Sequence, residues 1–149
     1  MNGPWRRVCS AGSGPQRPLI AGGKSFGGRM ASQAQAKAPL QGVCGLAFLG
    51  FPLHPIGYPS QDRATHLFDV QIPMLFLQGN HDKLAALDQI EPLCKGLGER
   101  ATLKLIADAD HSFHVPARTG RKHAQVLADM IDALAAWFDE AIAPFLKDS

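Results

Sequence analysis

Apolar and polar positions change their period several times along this chain. Pro18 to Ala21 is a short apolar run that leads into the glycine-rich stretch Gly22-Gly23-Lys24-Ser25-Phe26-Gly27-Gly28. Arg29 to Lys37 consists largely of good helix formers. Gly42 to Phe51 is apolar throughout, the pattern of a strand buried on both faces. Pro52, Pro55 and Pro59 make the segment as far as Gln61 a long loop. Pro73–Leu77 reads as a second buried strand and Ala101–Ile106 as a third. Between them Leu84, Leu87, Ile90 and Leu93 or Cys94 form one stripe. That stripe predicts a helix over Lys83–Gly96, stopped by Gly96 or Gly98. Val126, Leu127, Met130, Ile131, Leu134, Trp137, Phe138 and Ile142 recur at three- and four-residue steps, a helical stripe for packing onto a sheet. Strands that alternate with helices predict an α/β fold: a parallel sheet of roughly four strands with helices on both faces. Residues 1–17 are rich in Gly, Pro, Ser and Arg without any period and read as a loose lead-in; residues 18–149 read as the folded domain.

Composition narrows the class. Hydrophobic residues make up 46% and charged residues 19%, which argues for a globular domain and against disorder. A net charge of +2 is too small and too scattered to make nucleic acid or an anionic membrane the main partner. The longest apolar run, Val43–Phe51, contains two glycines and falls far short of the ~20 residues of a membrane span. No apolar stretch follows Arg6 and Arg7, so no signal peptide is expected. Cys9, Cys44 and Cys94 contain no CxxC pair, which excludes a zinc ribbon and a thioredoxin-type dithiol. Their odd number and wide spacing predict free thiols and a cytoplasmic location.

Gly23-Lys24-Ser25-Phe26-Gly27 fits G-x-S-x-G, a cheap pattern that gains weight from its place after a strand and before a helix. A sharp strand-to-helix turn needs small neighbours, here Gly23 and Gly27, and lifts the serine hydroxyl above the sheet edge. The backbone N–H of Phe26 then lies at a helix N-terminus and is the expected oxyanion donor. The bland alternative is a glycine-rich turn with a helix-capping serine. A phosphate-binding P-loop is excluded because position 18, where it needs Gly, is Pro. A nucleophilic serine needs a base and an orienting acid, in the chain order Ser, Asp or Glu, His. Asp82 lies just past the strand Pro73–Leu77, and His111 just past Ala101–Ile106. Strand C-terminal ends are where open α/β sheets build their sites, so Ser25, Asp82 and His111 are the candidate nucleophile, acid and base. The alternatives are a helix N-cap for Asp82 and a surface loop position for His111. Lys24, Arg29, His54, His114 and Arg118 are candidate pocket residues, and the cations among them hint at an anionic substrate. His81 reads as a loop residue. Asp108, Asp110, His111 and His114 crowd together, but no second cluster completes a metal shell, so neither a metal nor an organic cofactor is implied.

The stretches PLIAGGKSFGGRMAS, GLAFLGFPLHPIGYP with Arg63, His66 and Leu67, PMLFLQGNHD and DADHSF resemble α/β-hydrolases related to dienelactone hydrolase. The nearest resemblance is to the small bacterial branch that shares its domain with a subunit of the nonspecific-lethal chromatin complex. It covers residues 18 to about 140. It implies the C-terminal part of an α/β-hydrolase fold, with Ser25, Asp82 and His111 as the family's nucleophile, acid and base. It also implies further strands, and a second oxyanion donor, ahead of the elbow. Hydrolysis of a small acyl substrate (ester, lactone or thioester) is the expected function, with a non-catalytic interaction module as the alternative. Gly79-Asn80-His81-Asp82 also looks like the GNH motif of metallophosphoesterases, but that family's Asp-x-His, GDxxD and GHxH partners are absent. An elbow strand with no neighbour on one side predicts a covered edge, or pairing of two chains as a homodimer.

Overall fold

The structure is a computed structural model, and it describes residues 17–146. The expected lead-in lies outside the described residues except for Arg17. Four strands, β1 (Leu19–Lys24), β2 (Val43–Leu49), β3 (Met74–Gly79) and β4 (Ala101–Ile106), form one sheet in the order β1-β2-β3-β4. Every neighbouring pair is parallel. The crossovers are α1 (Phe26–Lys37), a 3-10 segment (Asp62–Asp69) and α2 (Leu87–Leu97); α3 (His123–Ala141) and the short α4 (Ala143–Leu146) follow β4. This is the expected four-stranded parallel α/β sheet.

Alternation along the strands splits the core into two layers. Leu46, Phe48, Met74 and Phe76 face the crossover side, where they meet Leu67 of the 3-10 segment and Ile90, Leu93 and Leu97 of α2. Phe48, Phe51 and Phe76 stack there with ring centroids 4.8–5.9 Å apart. Cys44, Leu75 and Leu77 face the other side, against Val126, Met130 and Trp137 of α3. Burying one such large side chain contributes roughly 1.5–3 kcal/mol. Gly45 interrupts the apolar run of β2 for a packing reason. A Cβ there would lie 2.8 Å from the Trp137 ring, so glycine lets the indole lie on the sheet.

Boundaries differ from the sequence reading at two places. β1 runs on through both glycines to Lys24, because they are paired with Ala47 and Phe48 of β2. The helix expected from Lys83 begins only at Leu87. Residues 82–86 instead form turns, in which Asp82 Oδ1 accepts the Leu84 N–H at 2.8 Å. A side chain that competes with the backbone in this way favours a turn over a helical start. Asp82 is therefore not the cap of α2.

The cysteines do not follow the free-thiol expectation throughout. Cys44 is disulfide-bonded, and cysteine spacing carries no information on which thiols meet in space. Cys94 is free and buried. Burial pushes its thiol up to about 12, so at pH 8 the reactive thiolate fraction is about 10⁻⁴. Iodoacetamide at pH 8 is expected to leave Cys94 unmodified in the folded protein and to alkylate it fully in denaturant. Rapid modification of the native state, read by mass spectrometry, would show that the site opens. Among the described residues no helix is long and apolar enough to cross a membrane.

Candidate active site

Ser25 sits between β1 and α1 with φ 51° and ψ −122°. A non-glycine residue with positive φ is uncommon, and here the strain points the side chain away from the strand and out over the sheet end. Two bonds fix the turn: Ser25 N–H donates to Leu49 O at 3.0 Å, and Ser25 O accepts the Arg29 N–H at 3.2 Å. The close approach of helix to strand is made by Gly23 and Gly28. A Cβ on Gly28 would lie 2.6 Å from Gly23 O, and one on Gly23 would lie 3.1 Å from Gly28 N. The expectation that Gly27 must be small is corrected, since a Cβ there would meet nothing within 4 Å.

Ser25 Oγ lies 2.7 Å from His111 Nε2, and His111 Nδ1 lies 2.8 Å from Asp82 Oδ2. The Asp82 side chain is fully buried, and that of His111 is 20% exposed. An ionised carboxylate only accepts, so Nδ1 carries the imidazole proton and the Nε2 lone pair faces the serine hydroxyl. The second Asp82 oxygen is held by Leu84 N–H. Asp82 and His111 sit on two loops that the backbone ties together. Asn80 N–H donates to Ile106 O and His81 N–H to Ala109 O. Asn80 Oδ1 accepts the Asp108 N–H at 2.8 Å. Asn80 of the GNHD stretch thus braces the loop, and His81 is exposed on the loop as expected.

The remaining candidates do not converge on Ser25. His54 is buried, not at a pocket mouth. Its Nε2 accepts the Ala86 N–H at 3.0 Å, so Nδ1 bears the proton and donates to Pro55 O at 2.8 Å. Its own N–H donates to Leu84 O. His54 therefore braces the proline-rich loop against the segment that carries Asp82, a role that no local sequence signal announces. His114 lines a cavity of about 450 Å³ with Val115, Arg121 and His123, and its ring stacks edge-on to that of His123 at 4.9 Å. Arg118 is exposed on a 3-10 turn, Ala117–Thr119, and Lys24 is exposed at the end of β1. Arg29 belongs to a different cavity, between α1 and the 3-10 segment. Gly50, which sequence reading passed over, has φ 75°. A Cβ there would lie 3.2–3.3 Å from the His111 carbonyl and ring, so glycine makes room for that side chain.

A strained serine at a strand-to-helix turn, bonded to a histidine that is bonded to a buried aspartate, on a parallel sheet, defines the α/β-hydrolase class. The chain belongs to that family: the family described as an alpha/beta hydrolase domain matches residues 1–139. Solved structures agree on the fold. An alpha-beta serine hydrolase homologue from Coxiella burnetii shares 19% identity with a TM-score of 0.54, over 76% of this chain and 50% of that one. The esterase domain of a Rhodothermus marinus protein gives 16%, 0.59, 89% and 64%. A serine hydrolase without a lid from Xanthomonas campestris gives 23%, 0.54, 83% and 49%. The chain thus spans about half to two thirds of the length of these structures, and at such identities the likeness is one of fold.

Proposed function

We propose that the protein is a serine hydrolase that cleaves an ester, lactone or thioester, with Ser25 as nucleophile, His111 as base and Asp82 as orienting acid. The observation that carries this reading is the unbroken hydrogen-bond line from Ser25 Oγ through His111 to Asp82. In the first half-reaction the Ser25 proton passes to His111 Nε2 as Oγ attacks the carbonyl carbon. His111 then protonates the leaving group, and an acyl-serine remains. In the second half a water gives its proton to His111 and attacks the acyl carbon, and Ser25 leaves with that proton. Asp82 stabilises the imidazolium throughout. The Phe26 N–H, at the first position of α1, is the oxyanion donor, because first-turn amides have no intrahelical acceptor. Phe26 is 64% exposed, so the site opens directly to solvent.

Among the described residues, the amides of Gly50 and Phe51 beside His111 do not supply a second donor. Gly50 N–H is spent on Leu77 O, and Phe51 N–H on Gln78 Oε1. Loss of one oxyanion donor costs about 10²–10³ in rate, so slow turnover of activated esters such as p-nitrophenyl acetate is expected. A fluorophosphonate should add covalently to Ser25 in the wild-type chain and not in Ser25→Ala. Equal labelling or equal turnover in Ser25→Ala would end this assignment. A second reading is a hydrolase-like interaction module; failure of the probe to label would favour it.

The expected cytoplasmic location rested on unpaired cysteines, and the disulfide bond of Cys44 takes that support away. The expected homodimer is a proposal that rests on β1. Among the described residues this strand is paired on one side only, beside an apolar groove of about 540 Å³ between Ile20 and Ile131. Open edges recruit strands, so light scattering is expected to give twice the chain mass. A monomer at high concentration would exclude edge pairing.

A further inference from the structure

The cavity between α1 and the 3-10 segment takes no part in the acyl-transfer reading, and Ser25, Asp82 and His111 do not line it. It encloses about 370 Å³, lined by Arg29, Lys37, Arg63 and His66 together with Asp62 and Asp69. Its floor is rigid. Ser32 is completely buried, and its hydroxyl donates to Arg29 O at 2.6 Å. That single proton being used, the 2.7 Å contact between Ser32 Oγ and His66 Nε2 is a bond donated by the ring. This second Ser–His pair is therefore a fixture: the oxygen is inaccessible, and the histidine is a donor rather than a base toward it.

The charges that line this cavity form no ion pairs with one another among the described residues. Arg29 Nε is buried without an acceptor, so a ligand in the cavity that Arg29 lines would meet the terminal nitrogens of its guanidinium. Asp62 and Asp69 line the same space, yet among the described residues neither forms an ion pair with Arg29, Lys37 or Arg63. Desolvation, and then the Arg29 charge, push the His66 pKa down, with Asp69 opposing. That direction disfavours the charged ring, and Arg29, Lys37 and Arg63 face Asp62 and Asp69.

We propose that this cavity is a binding site for a tetrahedral oxyanion, a phosphate or phosphomonoester group, held by the Arg29 and Arg63 guanidinium groups with Lys37 at the rim. Guanidinium is the donor that suits such oxygens, because its planar fork presents parallel N–H groups. The site is separate from the nucleophile but joined to it by one helical turn, since Arg29 N–H donates to Ser25 O.

Inorganic phosphate tests the proposal directly. Calorimetric titration of the full chain at constant ionic strength, with chloride as the control, is expected to show saturable phosphate binding. Arg63→Gln should weaken that affinity about tenfold, the usual scale for a hydrogen bond to a charged group. Arg63→Lys, which keeps the charge and loses the fork, should weaken it several-fold and serves if Arg63→Gln does not fold. Ser25→Ala should bind phosphate as the wild type does. Heat equal to that of chloride, wild-type affinity in both Arg63 variants, or loss of binding in Ser25→Ala would each overturn the proposal; the last would place the anion at the nucleophile.

Discussion

Asp82→Asn is expected to lower kcat on activated esters about 10⁴-fold while leaving the fold intact. The reason lies in the second oxygen of the carboxylate. Asp82 Oδ1 accepts the Leu84 N–H at 2.8 Å, so an asparagine must keep its carbonyl oxygen there. Its NH₂ group then takes the place of Oδ2, 2.8 Å from His111 Nδ1. An amide NH₂ only donates, so Nδ1 must accept and the imidazole proton moves to Nε2. Nε2 then offers a proton to Ser25 Oγ instead of a lone pair, and the serine has no base. KM should change little, because the Asp82 side chain is fully buried and does not touch the substrate. A loss of less than about tenfold, with circular dichroism unchanged, would mean that Asp82 does not orient the base.

The placement of Ser25, Asp82 and His111 side by side was legible in the sequence because it depends on strand ends. Ser25, Asp82 and His111 each follow an apolar run by a few residues, and parallel strands bring such positions to one sheet edge. Features that depend on two distant backbones were not legible. Gly27 fits the elbow pattern by spacing, yet Gly28 is the residue that touches Gly23. His54 reads as a loop histidine among prolines, and only the folded chain shows both its ring nitrogens engaged at Pro55 and Ala86. The stripe Leu84–Leu87–Ile90 has helical spacing, but the Asp82 side chain takes the Leu84 N–H and delays the helix to Leu87. The Arg29–His66 cavity was hidden for the same reason: its members lie 37 positions apart in the chain, on α1 and on the 3-10 segment.

Gly79→Ala is expected to damage stability and activity together. Gly79 ends β3, three residues before Asp82, and its backbone lies against the loop that carries His111. A Cβ there would lie 2.6 Å from Asp110 O and closer still to Ala109 O. Both contacts are backbone atoms, so no side-chain rotation relieves them. The loop at 109–111 must retreat, against the bonds His81 N–Ala109 O and Asn80 N–Ile106 O that hold it. Overpacking of this kind costs about 1–3 kcal/mol or more, which lowers Tm by roughly 5–10 °C in a domain of this size. The same retreat draws His111 away from Ser25, and a displacement of ~1 Å in a catalytic group costs about 10²-fold in rate. Labelling of Ser25 by a fluorophosphonate should slow by at least that factor at temperatures where the variant is still folded. Gly27→Ala is the control, because open space surrounds that position and alanine is the better helix former by about 1 kcal/mol; its Tm should rise. A Gly79→Ala chain that melts and labels like the wild type would mean that the acid and base loops are not in contact, and that the Ser25–His111–Asp82 line is held by something other than this junction.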